Sequence, residues 1–302
     1  MHHLLTLFFS ILLVVLNWVG FTLPAFAAEA DAPAPSAAES APATPSAEET
    51  PVPTQPSVLD LYQQVENLFN KAFEATNNGD FATAEDYWTQ IIEQFPENAA
   101  AWSNRGNAKV SQNHFQSALA DYDRAIELAP DSPDPYLNRG TALEALGRYE
   151  EAIKNYNQAL EHAPKDAAAF NNRGNAKAGL GKWDEALADY KQAVDLSRNY
   201  ATARANYALA LYQTGKTDEA IRTMRALVRK YPQYADMRAA LTAALWADGK
   251  EGEAESQWVS AIGLDSRYKD LTWLKQVRRW PPQMVTAMEN FLKLQSNPDS
   301  AV

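Results

Sequence analysis

"NRGNAK" stands at 104–109 and again at 172–177, and midway between them, at 138–143, the chain reads "NRGTAL". Successive copies lie 34 residues apart, so the string marks a period rather than an isolated site. Registers beginning at 65, 99, 133, 167, 201 and 235 align six units without an insertion. Position 20 is alanine in all six: Ala84, Ala118, Ala152, Ala186, Ala220 and Ala254. Position 15 is Gly79, Asn113, Gly147, Gly181, Gly215 and Gly249, and position 8 is Ala72, Gly106, Gly140, Gly174, Ala208 and Thr242. Position 24 is large: Trp88, Tyr122, Tyr156, Tyr190, Met224 and Trp258. Proline follows the second apolar run at Pro96, Pro130, Pro164 and Pro232.

Each unit therefore reads as a helix, a tight turn, a second helix and a stop. Small residues at 8 and 20 let two helix backbones approach, with the large side chain at 24 beside them. Glycine or asparagine at 15 suits the left-handed conformation that ends a helix. Proline stops the second helix. One hairpin cannot bury its apolar face alone, so neighbours must stack into an α-solenoid.

The pattern Trp102–Gly106–Ala118–Tyr122–Ala125–Pro130 and its copies resemble the tetratricopeptide repeat signature over 65–268. The resemblance implies an all-α, right-handed α-solenoid of six 34-residue helix-turn-helix repeats: 65–98, 99–132, 133–166, 167–200, 201–234 and 235–268. Residues 58–64 are expected to lead into it, so that the solenoid spans 58–268. Departures concentrate toward the ends: Lys71 in the first repeat, Arg198 in the fourth, Arg204 and Arg238 at position 4, and Ser266 in place of proline.

Beyond 268 the register stops. "DLTWLKQVRRW" at 270–280 can form a short helix, and Pro281-Pro282 breaks it and opens another. Met284, Met288, Phe291 and Leu292 recur at helical spacing. Residues 269–295 are expected to cap the solenoid, with a docking face as the alternative, and 296–302 to form a tail. "RYKDLTWLKQVRRWPP" at 267–282 is also similar to the C-terminal end of exported tetratricopeptide proteins of cyanobacteria and of their thylakoid-lumen relatives.

The N-terminal region differs in kind. Residues 1–27 carry no Asp, Glu, Lys or Arg, and Leu4–Leu23 is a long apolar run followed by Ala25-Phe26-Ala27. That order reads as an export signal peptide, with an uncleaved membrane anchor as the alternative. Residues 28–57 hold nine alanines, seven prolines and five acids without a base, the composition of a disordered Ala/Pro/Glu-rich linker. The expected location is an exported compartment, thylakoid lumen or periplasm, or a membrane-anchored position facing it. The membrane would be met only through the uncleaved N-terminal segment.

The formal charge of −11 without a basic stripe argues against nucleic acid and anionic lipid as partners. With no cysteine, disulfides and thiolate metal sites are excluded. Outside the N-terminal run the histidines are His114 and His162, 48 residues apart and in no metal-ligand spacing. Gly181-Lys182 and Gly215-Lys216-Thr217 imitate a phosphate loop, but Ala176 and Ala210 stand where its first glycine belongs. We therefore expect no enzyme activity, no cofactor and no metal.

In the resembled family the concave face is lined by positions 2, 5, 9, 12 and 13. These thirty positions contain no Lys or Arg and four acids, Glu66, Asp134, Glu144 and Asp236. Clamping the carboxylates of an acidic tail is therefore not expected. The peptide-groove candidates are Ser103, Asn107, Thr141, Asn171 and Asn175 at the centre, and Tyr212 and Trp246 toward one end. Asparagine can pair with a peptide backbone irrespective of sequence. Phe69 and Phe73 at the other end either anchor a partner or pack on 58–64. The expected function is a non-catalytic protein–protein interaction scaffold or assembly factor, photosynthetic-complex assembly among its settings. An exported enzyme or small-ligand carrier without a recognisable motif is the alternative.

The arginine of the opening string falls at position 7, beside the seam between helices, where a guanidinium needs a partner. Position 23 reads Asp121, Asn155 and Asp189 in those same repeats. Arg105 is thus expected to pair with Asp121 and Arg173 with Asp189, unless shared ancestry alone produced the pattern.

Overall fold

Glycine at position 15 decides where each first helix ends. Gly79, Gly147, Gly181, Gly215 and Gly249 have φ of 73–78°, and Asn113 has 63°. This left-handed residue lets the following amide reach back to the helix: Arg148 N–H donates to the Leu143 carbonyl at 2.9 Å and Gly147 N–H to that of Glu144 at 2.9 Å. Such paired bonds satisfy carbonyls that a helix end leaves open. The same return bond recurs at 80→75, 114→109, 182→177, 216→211 and 250→245.

The computed structural model describes residues 58–295. The expected signal segment 1–27, linker 28–57 and tail 296–302 lie outside them. Among the described residues there are fourteen α-helices, one 3-10 turn and no strand. Six hairpins run α1 (Val58–Asn77)–α2 (Phe81–Gln94), α3 (Ala99–Ser111)–α4 (Phe115–Leu128) and α5 (Pro133–Ala145)–α6 (Tyr149–His162). They continue with α7 (Ala167–Gly179)–α8 (Trp183–Leu196), α9 (Ala201–Gln213)–α10 (Thr217–Lys230) and α11 (Ala235–Ala247)–α12 (Glu251–Leu264). A 3-10 turn (Ser266–Lys269), α13 (Leu271–Gln276) and α14 (Pro282–Gln295) follow. From α3 onward, first helices of successive repeats touch one another more than second helices do, so they form the inner, concave face.

Within the middle repeats the glycine at 8 makes room for the tyrosine at 24. A Cβ on Gly106, Gly140 or Gly174 would lie 2.7, 2.5 and 2.7 Å from the ring of Tyr122, Tyr156 and Tyr190. These rings are almost wholly buried.

The arginine at 7 connects repeats as well as helices. Arg105 donates to both carboxylate oxygens of Asp121 at 3.0 and 2.7 Å, and Arg173 to those of Asp189 at 2.9 and 2.7 Å. Each also reaches back to position 25 of the preceding repeat: Arg105 to Thr89 Oγ1 at 3.3 Å and Arg173 to Asn157 Oδ1 at 2.8 Å. Lys109 and Lys177 add a second cation at 2.8 Å to Asp121 and Asp189. In the third repeat Asn155 accepts from Arg139 at 3.2 Å, and Leu143 stands where the lysine would be. There the charge goes to the preceding repeat: Arg139 Nε lies 2.7 Å from Asp123, in ion-pair contact without hydrogen-bond alignment.

The departures at position 4 keep the chemistry of the residues they replace. Trp102 Nε1 and Tyr136 Oη donate to the carbonyls of Pro96 and Pro130 at 2.8 and 3.1 Å. Arg204 and Arg238 do the same to Arg198 and Pro232, both at 2.8 Å. In these four repeats position 4 is a donor to the carbonyl at position 32 of the preceding repeat, aromatic or not, whereas Phe170 in the fourth repeat offers no donor.

The C-terminal element covers more than the end. The 3-10 turn closes onto α12 and α13 packs on that turn, and the chain then reverses so that α14 lies across α11 and α9, on the concave face. One buried carboxylate holds the reversal: Asp236 accepts from Tyr268 Oη at 3.1 Å, Arg278 Nε at 2.9 Å and Trp280 Nε1 at 3.0 Å. Arg278 Nη2 reaches its other oxygen at 2.8 Å. Between Arg278 and Trp280, Arg279 has φ of 52°.

Candidate functional site

Helical spacing along α3, α5 and α7 places Asn107, Thr141 and Asn175 at position 9 of successive repeats, on one inner stripe. Their surroundings separate them. Asn107 Oδ1 accepts from Tyr122 Oη at 2.8 Å, and Asn175 Oδ1 from Tyr190 Oη at 3.0 Å and Asn206 Nδ2 at 3.1 Å. In both, the half-buried amide nitrogen has no hydrogen-bond partner among the described residues. Tyrosine thus fixes the amide with its donor side outward. Burial and the neighbouring acid push the Tyr122 hydroxyl pKa up, so it stays a donor to Asn107.

Two central candidates are not open to a partner. Asn171 is 2 % exposed, accepts from Asn206 Nδ2 at 3.0 Å and donates to Asn172 Oδ1 at 3.2 Å. It is a buried link between α7 and α9. Ser103 is 8 % exposed and lies in the floor. Thr141 is exposed, and its hydroxyl bonds its own helix at the Leu137 carbonyl, 3.1 Å away.

Tyr212 and Trp246 require correction as partner anchors. Tyr212 is 8 % exposed within the C-terminal core, and Trp246 meets Phe291 of α14 edge-on, with ring centroids 5.2 Å apart. Phe291 is fully buried and also meets Trp258 at 5.2 Å. Gln213 at position 13 takes the Gln283 backbone N–H, 2.9 Å away. The apolar half of the groove is occupied by the chain's own helix. At the other end, residues 58–64 continue α1 and cannot fold back over it, so Phe69 and Phe73 pack edge-on to Trp88 instead, at 5.6 and 5.1 Å. Phe73 remains half exposed.

Ahead of α14, Thr141, Glu144, Ala145, Asn172, Asn175 and Arg279 line an open-sided cavity of about 220 Å³. Glu144 accepts from Tyr156 Oη at 3.1 Å and lies 3.7 Å from Arg279 Nη1. Burial raises its pKa above the ordinary carboxylate value, opposed in part by the Tyr156 hydrogen bond and the Arg279 charge. No group of three or more potential metal ligands occurs among the described residues, and none of their helices is long and apolar enough to cross a membrane.

Two tetratricopeptide repeat models match the sequence, one over 107–171 and the other over 71–133, 171–235 and 207–267. The chain belongs to the tetratricopeptide repeat family. No curated protein sequence matches it. Among solved structures, YrrB, described as a tetratricopeptide repeat protein with an unusual peptide-binding site, is 26 % identical at a TM-score of 0.50; the match covers 59 % of this chain and 92 % of YrrB. A tetratricopeptide repeat protein from Parabacteroides merdae is 21 % identical at a TM-score of 0.59, covering 78 % of this chain and 100 % of its own. A thermophilic member from Thermus thermophilus is 21 % identical at a TM-score of 0.51, covering 60 % and 99 %. The last two likenesses concern the fold alone.

Sequence reasoning missed two groups of residues. Position 25 of the preceding repeat (Thr89, Asp123, Asn157) completes each arginine's contacts, and its polarity one repeat ahead of each arginine was a usable signal. The Asp236–Arg278–Trp280 latch spans 44 residues and follows no period.

Proposed function

We propose that this protein is a non-catalytic interaction scaffold that binds an extended segment of another protein along the open groove of repeats 1–4. The observation that carries this reading is the pair of asparagines, Asn107 and Asn175, whose carbonyl oxygens are taken by tyrosines while their amide nitrogens donate to nothing among the described residues. Such donors suit the carbonyls of a peptide backbone, and the small lining residues let that backbone approach. The peptide-binding site attributed to YrrB agrees with the same use of the fold.

The apolar segment 1–27 and the Ala/Pro linker support an exported setting, thylakoid lumen or periplasm, with the solenoid held off a membrane if the segment is retained. The wording of 267–282 favours assembly of photosynthetic complexes as the role within it. Affinity purification of the full chain from native membranes, with the Asn107→Ala plus Asn175→Ala double variant as control, tests the groove. Partner recovery is expected to fall about tenfold in the variant, two backbone hydrogen bonds being lost. Equal recovery would sink the assignment.

A further inference from the structure

The buried carboxylates of this molecule are compensated unequally. Asp121 and Asp189 each face an arginine fork and a lysine, with every contact at 3.0 Å or less. Asp236 faces an arginine fork, an indole and a phenol. Glu144, its side chain only 16 % exposed, has one phenol and an arginine 3.7 Å away, beyond hydrogen-bond distance. That arginine, Arg279, has a side chain 55 % exposed and a backbone in the left-handed region, where a non-glycine residue is strained. Its neighbours Arg278 and Trp280 are both tied to Asp236, so the strap 277–281 between α13 and α14 anchors Arg279 beside Glu144, at 3.7 Å.

Glu144 also lines the open-sided cavity, beside Asn175. A segment running along the asparagine stripe from α3 toward α7 would deliver a side chain there. The thirty groove-lining positions hold no base, so a cation arriving from outside meets no like charge from the lining, and Arg279 is the local competitor.

We propose that this cavity receives the cationic side chain of a lysine or arginine from an extended partner peptide, a place that Arg279 holds loosely until the partner arrives. This rests on the groove being the peptide site and adds the partner's chemistry. A hydrogen-bonded ion pair replaces a stretched one, and the exposed Arg279 side chain turns to solvent while Arg278 and Trp280 stay tied to Asp236. A divalent metal ion is a poorer occupant, since a single carboxylate with neutral amides offers too few anionic ligands. An anionic side chain would face Glu144 directly.

The test uses the full chain and peptides selected on it from a random dodecapeptide display library. Selected sequences are expected to share a lysine or arginine. Replacing that residue by the uncharged isostere norleucine is expected to weaken binding about tenfold to the native chain but less than about twofold to Glu144→Gln, whose amide oxygen still accepts from Tyr156. Arg279→Ala, on the exposed strap and harmless to the core, is expected to tighten binding about threefold by removing the competitor. The proposal is overturned if norleucine costs the same on both proteins, or if Arg279→Ala weakens binding. If peptides bind with a basic preference that is insensitive to Asn107→Ala plus Asn175→Ala, the groove reading fails while the Glu144 site survives. If none is selected, both fall.

Discussion

Repeats 2–4 and repeats 5–6 share a backbone plan and use their inner faces in opposite ways. In the middle repeats position 9 is polar (Asn107, Thr141, Asn175), position 8 is glycine and position 7 is arginine. In the last two, position 9 is Leu209 and Ala243, position 8 is Ala208 and Thr242, and position 12 is Tyr212 and Trp246. The first set leaves an open polar groove whose position-7 arginines are paired inside the scaffold. The second presents apolar surface that must be covered, and α14 covers it. The inner surface of such a solenoid is thus set by a few positions on the first helix.

The comparison can be broken at the covered end. Phe291→Ala removes a fully buried ring held between Trp246 and Trp258, at a cost of about 4 kcal/mol. The loss should be confined to α14 and the last two repeats, since each repeat contacts only its neighbours. Hydrogen exchange should show α14 and α11 opening while α3 to α6 keep their protection; uniform loss would mean that the two regions are one cooperative unit. Asp236→Ala should follow at about 3 kcal/mol, because it leaves the Arg278 charge and the Trp280 N–H without an acceptor. A urea transition unchanged from the native chain would refute the latch.

The middle region can be sharpened with a swap. Asp189→Asn copies the third repeat but leaves Lys177 only the more distant Glu185, 3.9 Å away, and should cost about 2 kcal/mol. Adding Lys177→Leu completes the third-repeat arrangement and should return about half of it; additive losses would deny the coupling. Smaller still is the glycine contrast. Gly140→Ala should cost about 1 kcal/mol, the overpacking against Tyr156 exceeding the gain in helix propensity. Gly263→Ala, in α12 with open space around it, should stabilise by about 0.5 kcal/mol. Both are measured from urea midpoints, and equal signs would refute the close packing at position 8.

The architecture was legible because it repeats. Six copies of glycine or asparagine at one position cannot be mistaken for chance, and each sits where a left-handed turn residue is required. Arg105–Asp121 was legible because two positions varied together. The same covariation, read across a repeat boundary, would have found Thr89 and Asn157. The site was less legible. Periodicity assigns a face but not its occupant, so Tyr212 and Trp246 read as lining when the chain itself covers them. Asn171 and Asn175 are four residues apart on the same helix and both accept from Asn206 of the next repeat, yet only Asn171 is fully buried, its own amide nitrogen spent on Asn172.

The strap between α13 and α14 is only five residues, 277–281. A segment tethered so closely is present at its own docking surface at an effective concentration on the order of millimolar or above. A free peptide copying 282–295 would therefore not displace α14 at micromolar concentration, however well its sequence matches. Partners that compete on micromolar terms are left with the untethered half of the groove.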